Sequence, residues 1–263
     1  MGWTPTTEAN IGWGPVPEAA QGGGVPTPTV LNIVPASDVT YTVGATLDGA
    51  GGVLHGWGIQ GDGFITRVQE YAAGRIEIDY DFTGTLTNYR WSTVAACMQD
   101  APVFLHPDQL VGDFDLAVEF KALTTPPDNF TMVGPVVDIP ATTLVDATCL
   151  AAMFGNVNTT NARAQLVRGV KSAMQFDNAL DDTLYAWTLQ QFVQLVRDGG
   201  NIKANRKTLV GDSWVTCANK EWNTVGDPAP FGFGLGTDYG VGKTGTVAIY
   251  GITGNYLPST VLP

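Results

Sequence analysis

Residues 75–82 read RIEIDYDF, with Glu77, Asp79 and Asp81 two apart and Ile76, Ile78, Tyr80 and Phe82 between them. Side chains alternate between the faces of a β-strand, so this spacing puts three carboxylates on one side and four apolar groups on the other. Paired carboxylates are the equipment of glycosidic-bond hydrolysis. A retaining mechanism needs its two working carboxyls about 5–5.5 Å apart. Positions i and i+4 of a regular strand lie roughly 13 Å apart at the backbone. Glu77 and Asp81 would need long side chains or a bulge to meet, and Asp81 is the short carboxylate. An acidic strand face open to water explains the same pattern without chemistry, and that reading is favoured.

Other chemistry-bearing stretches are weaker. The glycine-rich GAGGVLHGWGIQGDG (49–63) lacks the Gly-Lys-Ser/Thr end of a phosphate loop and reads as a flexible loop or a set of tight turns. VGDFD (111–115) and NALDD (178–182) carry oxygen ligands suited to calcium, but neither completes a loop signature, so no cofactor is expected. Cys97, Cys149 and Cys217 are odd in number and widely spaced, which reads as buried free thiols. His55 and His106 are too few for a histidine-rich metal site. KANRK (203–207) reads as a solvated strand face. Sugar recognition uses aromatic faces beside polar groups. Among Trp57, Trp187, Trp214, Trp222 and Tyr239, the candidates for glycan contact are Trp57 between glycines, Trp222 in NKEWNT, and Tyr239, with Trp214 assigned to the core.

The elements that must hold such residues are strands. Only 14% of the 263 residues are charged, while Gly (32) and Pro (16) are plentiful, a composition of short strands and tight turns. Period-two alternation marks 39–45, 64–71, 75–82, 114–123, 192–198, 201–210 and 244–252. RDGGN (197–201) predicts a hairpin with Gly199 and Gly200 able to take positive φ. SAMQFDNALDDTLYAWTLQQ (172–191) is the one segment with a helical look. A net charge of −12 argues against nucleic acid and anionic membranes as partners. No run of 18 apolar residues is present, and no Lys or Arg precedes Arg67, so a secretory signal is not expected.

Residues 1–29 differ from the rest. Gly2-Trp3-Thr4-Pro5 and Gly12-Trp13-Gly14-Pro15 are matching units ten apart, followed by Pro17 and a joint at Gly22–Gly24. Prolines favour extended backbone and deny regular ladders, so this arm cannot bury its own indoles. It is expected to dock on a neighbouring subunit through Trp3, Pro5, Trp13, Pro15 and Pro17, leaving residues 30–263 as one β-sandwich domain.

The second half carries a recognisable pattern. FVQLVRDGGNIKANRKTLVGDSWVTC (192–217) resembles the hairpin of concanavalin A-like lectin/glucanase domains. FGFGLGTDYGVGKTGTVAIYGI (231–252) resembles their closing strand pair, and DFDLAVEFKAL (113–123) and CLAAMFGN (149–156) resemble their central strands. The resemblance spans roughly 110–255 and implies a two-sheet antiparallel jelly-roll whose concave sheet often binds sugars. It also implies a role for EIDYD (77–81), which is similar to the Glu-Ile-Asp-x-Glu row of laminarinase- and lichenase-type glycosidases. There the first Glu is nucleophile and the last is acid/base. Here Asp81 holds the last position and the row precedes the central strands.

The resulting expectation is an all-β, non-enzymatic structural subunit of a bacteriophage particle, in its tail, baseplate, fibre or head decoration. Its partners would be copies of itself, other virion proteins and surface glycans, and its place the virion, after synthesis in the host cytoplasm. A free carbohydrate-binding module and a retaining glycoside hydrolase using Glu77 and Asp81 are the alternatives.

Overall fold

The computed structural model describes residues 28–83, 102–124, 131–137, 148–156, 161–170, 175–183, 189–207, 209–221, 228–237 and 244–259. The arm residues Trp3, Pro5, Trp13, Pro15 and Pro17 lie outside them, as do Cys97, Trp187, Trp222 and Tyr239. In chain order the strands are β1 (Thr29–Ile33), β2 (Val39–Tyr41), β3 (Gly58–Gln60), β4 (Ile65–Tyr71), β5 (Arg75–Asp81), β6 (Val103–Ala122), β7 (Thr131–Val137) and β8 (Thr148–Asn156). They continue as β9 (Asn161–Val170), β10 (Gln175–Thr183), β11 (Gln191–Asp198), β12 (Asn201–Lys207), β13 (Val215–Glu221), β14 (Ala229–Thr237) and β15 (Thr244–Pro258). One 3-10 turn, Asp62–Phe64, interrupts them.

All pairings among the described residues are antiparallel, and they form two layers joined through one strand. The first part of β6 pairs with β3 and β14, continuing the back layer β10-β9-β8-β7-β14. Beyond Gly112, at φ 65°, β6 pairs with β11, and from Leu110 onward with β15, in the front layer β13-β12-β11-β6-β15-β5-β4-β2. β1 lies end to end with β5 along β15. β11 packs across β7 and β8, β12 across β8 and β9, and β13 across β9 and β10, which closes the sandwich.

The alternation read from the sequence sets which side chains fill it. On β6, Phe114, Leu116, Val118 and Phe120 face inward; on β5, Ile76, Ile78 and Tyr80; on β15, Val247 and Ile249. Phe104 stacks on Phe233 at 4.6 Å, and Phe120 meets Phe154 edge-on across the layers at 6.3 Å. Each such side chain contributes about 1.5–3 kcal/mol of burial free energy. The glycines of FGFGLG answer a close approach: a Cβ at Gly232 would stand 1.8 Å from the Phe104 carbonyl oxygen, where the β14–β6 register slips.

Two local expectations change. The helical reading of 172–191 is corrected, because 175–183 is β10, paired to β9 with a bulge between Asn178 and Asp181. Its scattered apolar positions never build one helical face, and the open edge of β9 supplies a ladder instead. KANRK is not wholly solvated, since Arg206 is buried and faces inward beside Cys217. Burial raises the Cys217 thiol pKa, with Arg206 opposing.

The glycine-rich 49–63 stretch is a set of tight turns held by a buried carboxylate. Glu70 is fully buried and accepts from the backbone N–H of Ala36 (3.1 Å), Ser37 (3.3 Å) and Val53 (2.9 Å) and from the Tyr41 hydroxyl (2.6 Å). Tyr41 in turn accepts from Leu54 N–H at 3.0 Å. Burial, then the bond to Glu70, pushes the Tyr41 pKa upward. The turns use Gly51 and Gly56, both at φ 80°.

Glu70→Gln replaces an acceptor-only group by one that carries two donors against four incoming ones, and is expected to lower unfolding free energy by about 3 kcal/mol in urea titrations. At the β11–β12 turn Gly199 has φ 60°. Gly199→Val is expected to cost about 1 kcal/mol or more by the same measurement.

Candidate functional site

The outer face of the front layer brings together most of the polar groups that the strands hold in register. On β5 the row Arg75, Glu77, Asp79, Asp81 faces out. Across β4, Arg67 donates through Nε to Asp79 Oδ2 (2.6 Å) and through Nη2 to Glu77 Oε2 (3.1 Å) and Asp79 Oδ1 (3.2 Å). Arg75 Nε donates to Glu77 Oε1 at 2.8 Å, and the Thr246 hydroxyl to Asp79 Oδ1 at 2.7 Å. Asp81 accepts from Thr83 N–H at 2.8 Å.

These partners decide the electrostatics. Burial works against the charges of Glu77 and Asp79, but hydrogen bonds from Arg75, Arg67 and Tyr71 to Glu77, and from Arg67 and Thr246 to Asp79, outweigh it. Both carboxyls sit below their ordinary range. Asp81 is lowered by its bonds to Thr83. A proton donor for glycosidic cleavage needs the opposite shift. Glu77 and Asp81 are therefore strand-to-strand and turn ties, and the alternative that used them as a catalytic pair loses its acid.

Further along the same face the balance reverses. Glu119 on β6 is half-buried, and burial raises its pKa, with the Lys207 charge pulling it back. Among the described carboxyls it alone is shifted upward. Beside it β15 bulges between Ile249 and Gly251, so that Tyr250 is an extra residue thrown onto the outer face. Its phenol lies in the field of Arg75, Glu119 and Glu77, and burial raises its pKa. Bulges that redirect one side chain are frequent next to active sites.

A cavity of about 330 Å³ opens at this point, lined by Lys121, Leu189, Gln190, Phe192, Leu209, Val210 and Tyr250. Lys207 props its far wall. The ammonium lies 5.2 Å from the Phe192 ring centroid and 4.8 Å from that of Trp214, and it donates to the Val210 carbonyl at 2.9 Å. Leu209 and Val210 are 62% and 70% exposed, giving the opening an apolar rim. The hollow thus offers a phenol, an amide and an ammonium, with Glu119 on the same face beside it, its pKa raised by burial.

A second cavity, of about 380 Å³, lies at the end of the sheet. Most of its polar groups are already engaged, Arg197 Nε being the buried exception. Asp113 accepts from Gly199 N–H, Asp115 from Asn255, and Asp198 from Lys203, while Arg197 donates to the Gly112 carbonyl. VGDFD therefore ties the β11–β12 hairpin to β6, and no carboxylate, histidine or cysteine cluster suited to a metal occurs among the described residues. The side chains of NALDD lie outside them.

Of the aromatic candidates, Trp57 is corrected. It is 2% exposed, edge-on to His106 at 5.1 Å and tilted on Phe233 at 6.0 Å, so its faces belong to the core. Burial holds the His106 imidazole pKa below its usual value, with Asp108 opposing. Trp214, assigned to the core from sequence, is half-exposed against Lys207. The sequence reading passed over Glu119, Lys121, Phe192, Lys207 and Tyr250. The signal was present in VAIYGI, where Tyr-Gly breaks an otherwise regular alternation.

No family model and no curated protein matches this chain. Among solved structures it is similar to a functionally unknown protein from Saccharomyces cerevisiae, at 12% identity over 74% of this chain and 90% of that chain, TM-score 0.50. It is also similar to the alginate lyase from Klebsiella pneumoniae, at 8% identity over 83% of this chain and 94% of that chain, TM-score 0.50. The expectation of a non-enzymatic protein is corrected by this second likeness: the sandwich is one that carries catalysis, so a missing motif in the sequence does not exclude an enzyme. At such identities the likeness is one of fold, and the fold is the all-β, two-sheet jelly-roll sandwich of concanavalin A-like type.

Proposed function

We propose that this protein engages carbohydrate on the outer face of its front sheet, with the hollow at Lys121, Gln190, Phe192 and Tyr250 as the principal sugar subsite. The observation that carries the reading is that hollow, where an aromatic ring and apolar rim adjoin hydrogen-bonding groups on a rigid sheet. Sugars present both apolar ring faces and hydroxyls, and such sites fix them with few placed polar groups. A second reading, cleavage of the bound chain, is favoured by Glu119, which retains its proton to higher pH than an ordinary carboxyl and so suits proton donation to a glycosidic oxygen. The virion role, with copies of this chain and other particle proteins as partners, rests on the sequence alone: its Gly-Trp-Pro arm and its acidic, Thr-, Gly- and Val-rich all-β composition.

Affinity electrophoresis against a panel of soluble polysaccharides is expected to show retardation by at least one glycan. Tyr250→Ala should weaken that binding at least about tenfold, a loss of one good contact, with an unchanged circular dichroism spectrum. Retention of none of the panel would overturn the reading. If the bound glycan is also shortened, Glu119→Gln should abolish shortening while binding persists.

Glu119 also yields a stability test. Its folded pKa lies above the unfolded value of 4.5, so its stabilising contribution is complete below that pH and is lost as pH rises through the folded pKa. Glu119→Gln, which cannot ionise, is expected to melt above the parent at neutral pH, with the gap closing on acidification. An equal or lower melting temperature at neutral pH would remove the buried-acid assignment.

A further inference from the structure

The cations of the front face are almost all committed. Arg67 is paired with Glu77 and Asp79, Arg75 with Glu77, and Lys203 with Asp198. Lys207 is held between two rings and a carbonyl, with its charge acting on Glu119. Lys121 is different. It lines the hollow next to Tyr250, and among the described residues its side chain makes no hydrogen bond and no ion pair. Lys121 thus lines the hollow as an ammonium that no carboxylate among the described residues pairs with, in a chain whose net charge is −12.

A half-enclosed ammonium with no partner is a poor arrangement for stability, because partial burial weakens its hydration without replacing it. It is a good arrangement for recognition, since a charge-assisted hydrogen bond to an incoming anion is about twice as strong as a neutral one. We propose that the hollow selects a sugar residue bearing an anionic group, carboxylate or sulfate, which Lys121 receives while Phe192 and the Leu189–Leu209–Val210 rim take the apolar face of the ring. This rests on the carbohydrate reading above and narrows its ligand class. An acidic protein repels acidic polysaccharide at long range, so a local unpaired cation lining the hollow is what would make the contact selective rather than merely electrostatic. The preference should weaken as salt is added, though less than for an exposed lysine.

The test compares like with like by isothermal titration calorimetry on the full chain. The probes are oligogalacturonate and oligomannuronate, the same oligomers as methyl esters, and a sulfated galactan oligomer with its desulfated form. The expected result is that at least one uronate or the sulfated oligomer binds about tenfold or more tighter than its neutral counterpart, the equivalent of one charge-assisted bond. Uronate and sulfate arms then identify the anion. Lys121→Met should bring the ratio of acid to ester close to one, and Lys121→Arg should retain it. Equal affinity for acid and ester, or an undiminished ratio in Lys121→Met, overturns the anionic selectivity and leaves carbohydrate binding standing. If neither these probes nor neutral polysaccharides bind, the carbohydrate reading falls, and this inference with it.

Discussion

One strand belongs to both layers, and the rest of the structure is registered on it. β6 is twenty residues long, and no other described strand pairs in both sheets at comparable length. Its first part sets β14 and β3, and its second part sets β11 and β15. Because side chains alternate, a slip of one residue anywhere along it would turn Phe114, Leu116, Val118 and Phe120 outward and bring Asp115, Glu119 and Lys121 into the core. The same register that fills the sandwich thus fixes which polar groups reach the candidate site. Gly112, with its positive φ, is where the chain changes layer, and Arg197 and Gly199 tie the neighbouring hairpin to that point.

Much of this arrangement was legible because alternation is a local signal. The regular stretches 64–71, 75–82, 114–123, 192–198 and 244–252 all became strands at nearly the expected places. The first half of β6 was not legible. VFLHPDQL contains Pro107 and loses its alternation, and the pairing with β14 skips residues there, as a proline in a strand requires. β10 was misread for a related reason: a bulged strand shows neither period two nor a single helical face. A bulge is a tertiary event, and a period-based reading has no way to register it.

The site was less legible than the fold. Sequence spacing pointed to EIDYD, the densest acidic alternation in the chain, because composition records where charges are and not what stands across the sheet. Arg67, ten residues before Glu77 in sequence and on the adjacent strand, neutralises that row. Glu119 looked like one more outward carboxylate. What separates it is its setting, with Phe192 of β11 opposite it and the Lys207 charge of β12 nearby, on strands whose position no local pattern reveals.

The two acidic groups therefore illustrate opposite uses of one side chain. Glu70 is completely buried and accepts four hydrogen bonds, which tie the turns of 49–57 and the chain at Ala36 and Ser37 to β4. Glu119 is only half-buried, yet it is the carboxyl held toward its neutral form. Among the partly buried Glu77, Asp79 and Glu119, the donors within reach decide which way the pKa moves: Arg67, Arg75 and Thr246 lower the first two, and desolvation raises the third. By that criterion a site for an external ligand is found where desolvation outruns the protein's own donors. On this face that place is the bulge at Tyr250, where the ladder between β15 and β6 gains an extra residue and the ion-paired lattice of β4 and β5 gives way to the hollow around Lys121.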